Sequence, residues 1–142
     1  TAMTFSDPSM LEYFRDNIVE VLGDGVDLLF CNEKELQLWA QTNDFEAAFT
    51  KAQGFAKQLV VTLGAKGALL FDGEKRIPSA PHAVKAIDTN GAGDMFAGAF
   101  LYGITNGMGF EAAGNLASLA SAKVVSSFGP RLEPEAHAEL LG

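Results

Sequence analysis

Asp88-Thr89-Asn90-Gly91-Ala92-Gly93-Asp94 runs straight into the apolar stretch Met95-Phe96-Ala97-Gly98-Ala99-Phe100. The reading of this junction decides the fold. Two glycines flank an alanine, and an aspartate follows at once. Small residues let a bound group approach backbone N–H groups without meeting a side chain. The first turn of a helix has N–H groups that lack an intrahelical partner. With the helix dipole they make an anion pocket. Asp94 is then a carboxylate beside a pocket built for negative charge. That pairing suits a reaction in which a base takes a hydroxyl proton while charge develops on a transferring phosphoryl group. The plainer reading is a helix N-terminus whose glycines serve tight packing alone.

Two other glycine motifs are excluded. A Walker A loop needs G-x-x-x-x-G-K-[ST], and the chain contains no such string. The dinucleotide fingerprint wants a small third residue where this chain has Phe96. It also wants a second strand ending in an acidic residue about 20 positions on, and the segment around Glu111 reads as helix instead.

Upstream of the junction, strands and helices alternate. Thr1-Ala2-Met3-Thr4-Phe5 reads as the end of a strand. Asp7 is suited to cap a helix with Pro8 at its first position. Leu11, Phe14, Ile18, Val21 and Leu22 fall on one face of that helix, and Gly23-Asp24-Gly25 ends it. Val26–Phe30 is a short apolar strand. Helices are expected from Asn32 to about Gln41 and from Asp44 to about Lys57. Leu59–Leu63 and Gly67–Phe71 are buried strands. Asp72-Gly73 is a hairpin turn, with Glu74–Ile77 as the return strand. Pro78 and Pro81 bound an exposed connection, and Val84–Ile87 leads into the opening motif. Long helices follow from about Ala92 to Thr105 and from about Phe110 to Ser127. Strands separated by helices imply a parallel sheet covered on both faces. Ligands of such sheets sit beyond the carboxyl ends of the strands. The residues after Phe30, Leu63 and Ile87 all fall there.

Composition narrows the partners. The chain has 142 residues, enough for one domain with a real core. Hydrophobic residues make up 48% and charged residues 20%, which argues against disorder. The net charge of −8, without a basic run, argues against nucleic acid. No apolar run is long enough to span a membrane. A single cysteine, Cys31, allows no internal disulfide, and a reducing, cytoplasmic setting is the default. Cys31 reads as a packed small residue rather than a nucleophile. His82 and His137 lack metal-ligand spacing and read as solvated.

The opening motif resembles the D-T-x-G-A-G-D signature of the ribokinase/PfkB family of sugar and nucleoside kinases. Asn32-Glu33-Lys34-Glu35 resembles that family's N-x-x-E. Thr62-Leu63-Gly64-Ala65-Lys66-Gly67 resembles its T-x-G-x-x-G. The motifs stand in the family's order, and the resemblance covers essentially the whole chain. It implies a ribokinase-like three-layer α/β/α fold with a mostly parallel sheet. It also implies that the chain is only the C-terminal portion, with the N-terminal half and lid absent. The implied activity is ATP-dependent transfer of the γ-phosphoryl group to a sugar or nucleoside hydroxyl. The spelling of the signature leans toward adenosine-kinase-like members. The implied partners are ATP, Mg²⁺ and a small-molecule acceptor. A homodimer is implied for the full-length protein. A non-catalytic ATP-binding fragment or interaction module is the alternative.

Residue roles follow from the same resemblance. Asp94 is the base and meets the acceptor, while Gly91, Ala92 and Gly93 supply the anion hole. Asn32 and Glu35 organise the metal–phosphate region, with Glu35 reaching Mg²⁺ through water. From local sequence alone they are instead a helix N-cap and its capping-box partner. Thr62, Gly64, Lys66 and Gly67 form the loop beside ATP; without the family they are a turn between strands. Asp88 and the carbonyl of Asn90 match a monovalent cation site, K⁺ in kind. A loop cap is the other reading of Asp88. Ser118 borders the adenine, standing where an asparagine is common. Gly129-Pro130-Arg131 resembles the closing turn after the last long helix.

Overall fold

The computed structural model describes residues 1–5, 8–82 and 91–126, with Ala136 and Ala138. Its elements follow in the order β1 (Ala2–Thr4), α1 (Pro8–Leu22), β2 (Val26–Asn32), α2 (Glu33–Ala40), α3 (Phe45–Gln53) and β3 (Ala56–Thr62). A 3₁₀ turn at Gly64–Lys66 leads to β4 (Ala68–Phe71) and β5 (Arg76–Ser79). The helices α4 (Ala92–Thr105) and α5 (Phe110–Val125) complete the described elements. The expected strand at Val84–Ile87, the Asp7 cap, His137 and the Gly129–Arg131 turn lie outside the described residues.

The strands form one five-stranded sheet in chain order, β1-β2-β3-β4-β5. β1 and β3 both pair parallel with β2; Met3 lies beside Leu29, and Leu29 beside Leu59. The connections β3–β4 and β4–β5 are far too short for parallel crossovers, so these strands turn back on each other. Four of the five strands therefore run in one direction, as the sequence implied.

Two compact units divide the chain: Thr1–Gly64 with Leu69–Ile77, and Ala65–Ala68 with Pro78–Gly142. In the first, Leu29, Leu36, Phe49, Leu59 and Val61 are fully buried in one cluster. Trp39 joins them between Phe5 and Phe55, with ring centroids at 6.0 and 5.0 Å. β2 is buried from Leu28 through Cys31, without alternation. That pattern belongs to parallel strands covered on both faces. Cys31 is buried, and burial pushes its thiol pKa up, which leaves a packed side chain and no nucleophile. In the second unit, α4 packs on α5, with Phe100, Ala113, Ala117 and Val124 fully buried.

Several boundaries differ from the sequence reading. α3 stops at Gln53 rather than Lys57, because Ala56 and Gln58 pair with Val26 and Leu28. Sheet hydrogen bonding wins there over helical periodicity. The return strand begins at Arg76, not Glu74. The Asp72 carboxylate accepts from the N–H groups of Glu74 and Lys75, both at 2.9 Å, and so spends those residues in the turn. Pro78 consequently lies inside β5, and Ser79 after it is buried rather than exposed. β5 is the last strand in the sheet order, where a missing N–H is tolerated. On α1, Leu11 is buried but Phe14 is 52% exposed, because it lies at the margin of the apolar stripe. α5 ends at Val125, two residues short of Ser127.

Candidate active site

Asn32 ends β2 and caps α2. Its Oδ1 accepts from the Glu35 N–H at 2.8 Å. Its own N–H donates to Glu35 Oε2 at 3.0 Å. This is a complete capping box, and it holds the Glu35 carboxylate 5% exposed at the first turn of α2. Asn32 is the register partner of Thr62 across the parallel β2–β3 pair. The N-x-x-E motif and the start of the T-x-G-x-x-G motif are thus neighbours at the carboxyl ends of adjacent strands. Gly64 follows, exposed and with φ 59°.

The rest of that loop belongs to the second unit. Lys66 is exposed in the 3₁₀ turn. Gly67 has φ 92°, and a Cβ there would strike the Ser79 carbonyl and lie 2.9 Å from Pro81 N. The fold itself therefore demands this glycine. Ser118 is buried on α5, and its hydroxyl donates to the Ala80 carbonyl at 2.8 Å. Gly67 and Ser118 so meet the same short segment, residues 79–81.

The start of α4 is built differently. Gly91 is its N-cap, with φ 76° and ψ −1° and no side-chain cap. A residue with a Cβ would be strained in that left-handed conformation. The Gly91 carbonyl accepts from Met95 N–H at 2.9 Å. Ala92, Gly93 and Asp94 precede that bond, so their N–H groups have no acceptor within the helix. Gly93 and Asp94 are exposed. Gly93 has ordinary helical backbone, and a Cβ built on it would meet nothing within 4 Å among the described residues. Among the described residues, neither conformation nor packing requires glycine there.

Asp88 and Asn90 lie outside the described residues. Among the described residues no group of three His, Cys, Asp or Glu side chains is placed to cage a metal. No helix among them is long and apolar enough to cross a membrane. Two residues near these motifs escaped the sequence reading. Ser121 donates to the Ala92 carbonyl at 3.1 Å. Ser79 has a buried hydroxyl without a partner among the described residues. Neither left a signal in the sequence: the partner of Ser121 is a backbone carbonyl 29 residues away.

The model of the pfkB family carbohydrate kinases matches residues 1–136. The chain belongs to that family. Its relatives include the ribokinase of Lactococcus lactis subsp. lactis, 35% identical over 108 residues, which covers 75% of this chain and 34% of that protein. The fold matches the crystal structure of adenosine kinase from Sinorhizobium meliloti with a TM-score of 0.90 at 32% identity, covering 100% of this chain and 45% of that one. It also matches a putative ribokinase II from E. coli in complex with ATP and Mg²⁺, with a TM-score of 0.81 at 25% identity, over 91% of this chain and 43% of that one. The fold is therefore the ribokinase-like α/β class. The chain spans less than half the length of each of these proteins. Both a ribokinase and an adenosine kinase thus stand among the similar proteins.

Proposed function

We propose that this chain carries the phosphate-side machinery of an ATP-dependent kinase that phosphorylates a hydroxyl of a sugar or nucleoside. The observation that carries the reading is the start of α4. Among the described residues its first-turn N–H groups lack a side-chain cap, a Cβ on Gly93 would meet nothing within 4 Å, and the exposed Asp94 stands beside them. A chain selected for stability alone favours alanine over glycine in a helix. Space kept at such a cost suits an anion that must touch the backbone.

Asp94 takes the proton of the acceptor hydroxyl. The freed oxygen attacks the γ-phosphorus in line, the bond to the β–γ bridging oxygen breaks, and ADP leaves. Charge on the transferring group is met by the N–H groups of Gly91, Ala92 and Gly93. Asn32 and Glu35 organise the metal–phosphate region. Mg²⁺ supplies neutralisation of phosphate charge. The residues fit such an ion: Glu35 offers a hard oxygen donor, and a metal that keeps most of its waters needs no protein cage. Thr62, Gly64 and Lys66 border the nucleotide, Gly67 shapes their turn, and Ser118 braces the segment against which Gly67 packs. Asp88 and Asn90 hold a monovalent cation.

The test is transfer of phosphoryl from ATP to ribose, fructose, adenosine and inosine by the longest natural chain that carries these residues. Turnover on one of them that disappears in Asp94→Asn supports the reading. ATP binding without turnover on any acceptor supports the binding-module alternative.

A further inference from the structure

The helical hairpin α4–α5 is locked at both ends. Near the connecting turn, Phe100 meets Phe110 edge-on with centroids 5.0 Å apart. A Cβ on Gly103 would lie 2.9 Å from the Ala113 Cβ, so the two backbones approach closely there. At the opposite end the Ser121 hydroxyl reaches the Ala92 carbonyl. One turn earlier Ser118 ties α5 to Ala80. The two serines are three apart and share a helix face.

The carbonyl that Ser121 holds is not an arbitrary one. The Ala92 C=O and the Gly93 N–H are opposite ends of one planar trans peptide. Fixing the oxygen fixes the direction of the N–H. A carbonyl that accepts a hydrogen bond also polarises its amide and strengthens the N–H as a donor. We propose that Ser121 is a positioning residue of the anion hole: through the Ala92–Gly93 peptide it aims the Gly93 N–H at the phosphoryl oxygens. The inference rests on the phosphoryl-transfer reading above.

The experiment follows the Gly93 amide by ¹⁵N NMR in the 142-residue chain, with inorganic phosphate as the probe. In wild type, phosphate shifts the Gly93 resonance. Ser121→Ala should weaken phosphate binding about three- to ten-fold, the scale of one hydrogen bond. Ser121→Thr, which keeps the hydroxyl, should restore it. Thr105→Val is the control; it removes a hydroxyl that donates to the Leu101 carbonyl at 2.7 Å, at the far end of α4. It should leave phosphate affinity unchanged. In turnover by the longest natural chain that carries these residues, Ser121→Ala should lower kcat and leave the acceptor KM unchanged. A purely structural serine would lower the melting temperature and spare phosphate affinity. Wild-type phosphate affinity in Ser121→Ala, with Gly93 still responding, overturns the inference alone. Absence of any Gly93 response in wild type overturns both the inference and the reading beneath it.

Discussion

Asn32 and Glu35 exchange two hydrogen bonds, at 2.8 and 3.0 Å, each side chain accepting from the other's backbone N–H. The exchange separates two roles that the sequence left entangled. Glutamine serves at the third position of a capping box as well as glutamate does. Glu35→Gln therefore keeps the box and removes only the charge. It should raise the Mg²⁺ concentration needed for half-maximal activity and leave the melting temperature nearly unchanged. Glu35→Ala should in addition lose about 0.5–2 kcal/mol of stability. An unchanged Mg²⁺ titration in Glu35→Gln would reduce Glu35 to a helix cap.

Asp94→Asn should leave ATP affinity within a few-fold and lower kcat by about 10²–10⁴, the worth of a positioned base. The side chain is exposed, so folding should be unaffected. Turnover near the wild-type value would remove Asp94 from the mechanism.

Gly93→Ala pits stability against activity. The backbone is helical and the added methyl meets nothing among the described residues, so the melting temperature should rise. The gain is up to about 1 kcal/mol. On the phosphoryl-transfer reading the same methyl would stand where a phosphate oxygen approaches the backbone, and turnover should fall by about 10², the scale of one lost anion-hole donor. A variant that is more stable and fully active would show that the open space has no use.

The 142-residue chain by itself should bind ATP–Mg²⁺ weakly and phosphorylate none of the four acceptors. It spans under half of the Lactococcus ribokinase and the Sinorhizobium adenosine kinase, and positioning of both reactants is worth about 7–11 kcal/mol of barrier. Calorimetry and a coupled kinase assay check this; robust turnover would sink it.

Asp27 offers a pH test away from the site. Lys57 donates to its Oδ1 at 2.6 Å. The Lys57 hydrogen bond lowers its pKa below the ordinary 3.8. A depressed carboxylate contributes stability above its unfolded pKa, and the contribution is lost as pH falls through the folded value. The window thus lies below 3.8. The pair is exposed, so the effect on stability should be small. In a carboxyl ¹³C titration Lys57→Met should move Asp27 back toward its ordinary value; a wild-type Asp27 titrating there already would contradict the pairing.

The parallel strands β2 and β3 and the cap at Asn32 were legible because local chemistry and the fold agree at those residues. The sequence misled where tertiary pairing overrode periodicity, as at Ala56–Gln58, or where a side chain consumed the turn, as Asp72 does with Glu74 and Lys75. Phe14 looked buried because helical phase alone cannot say where a stripe ends. At the site, residue identities came from motifs, but their local reasons did not. Gly67 and Gly93 look alike in a string; one is enforced by the Ser79 carbonyl, the other by nothing in the described chain. Ser121 was invisible because its partner is a backbone carbonyl distant in sequence.

The aromatic nest around Trp39 has a practical side. It is the sole tryptophan of the chain and belongs to the first compact unit, stacked near Phe5 and Phe55 with the Lys51 ammonium 5.7 Å from its ring. Its fluorescence therefore watches one unit only, while α4 and α5 contribute helical dichroism and no tryptophan signal. Melting followed by both signals would register whether the half bearing Asn32 and Glu35 loosens together with the half bearing Asp94, or lets go first.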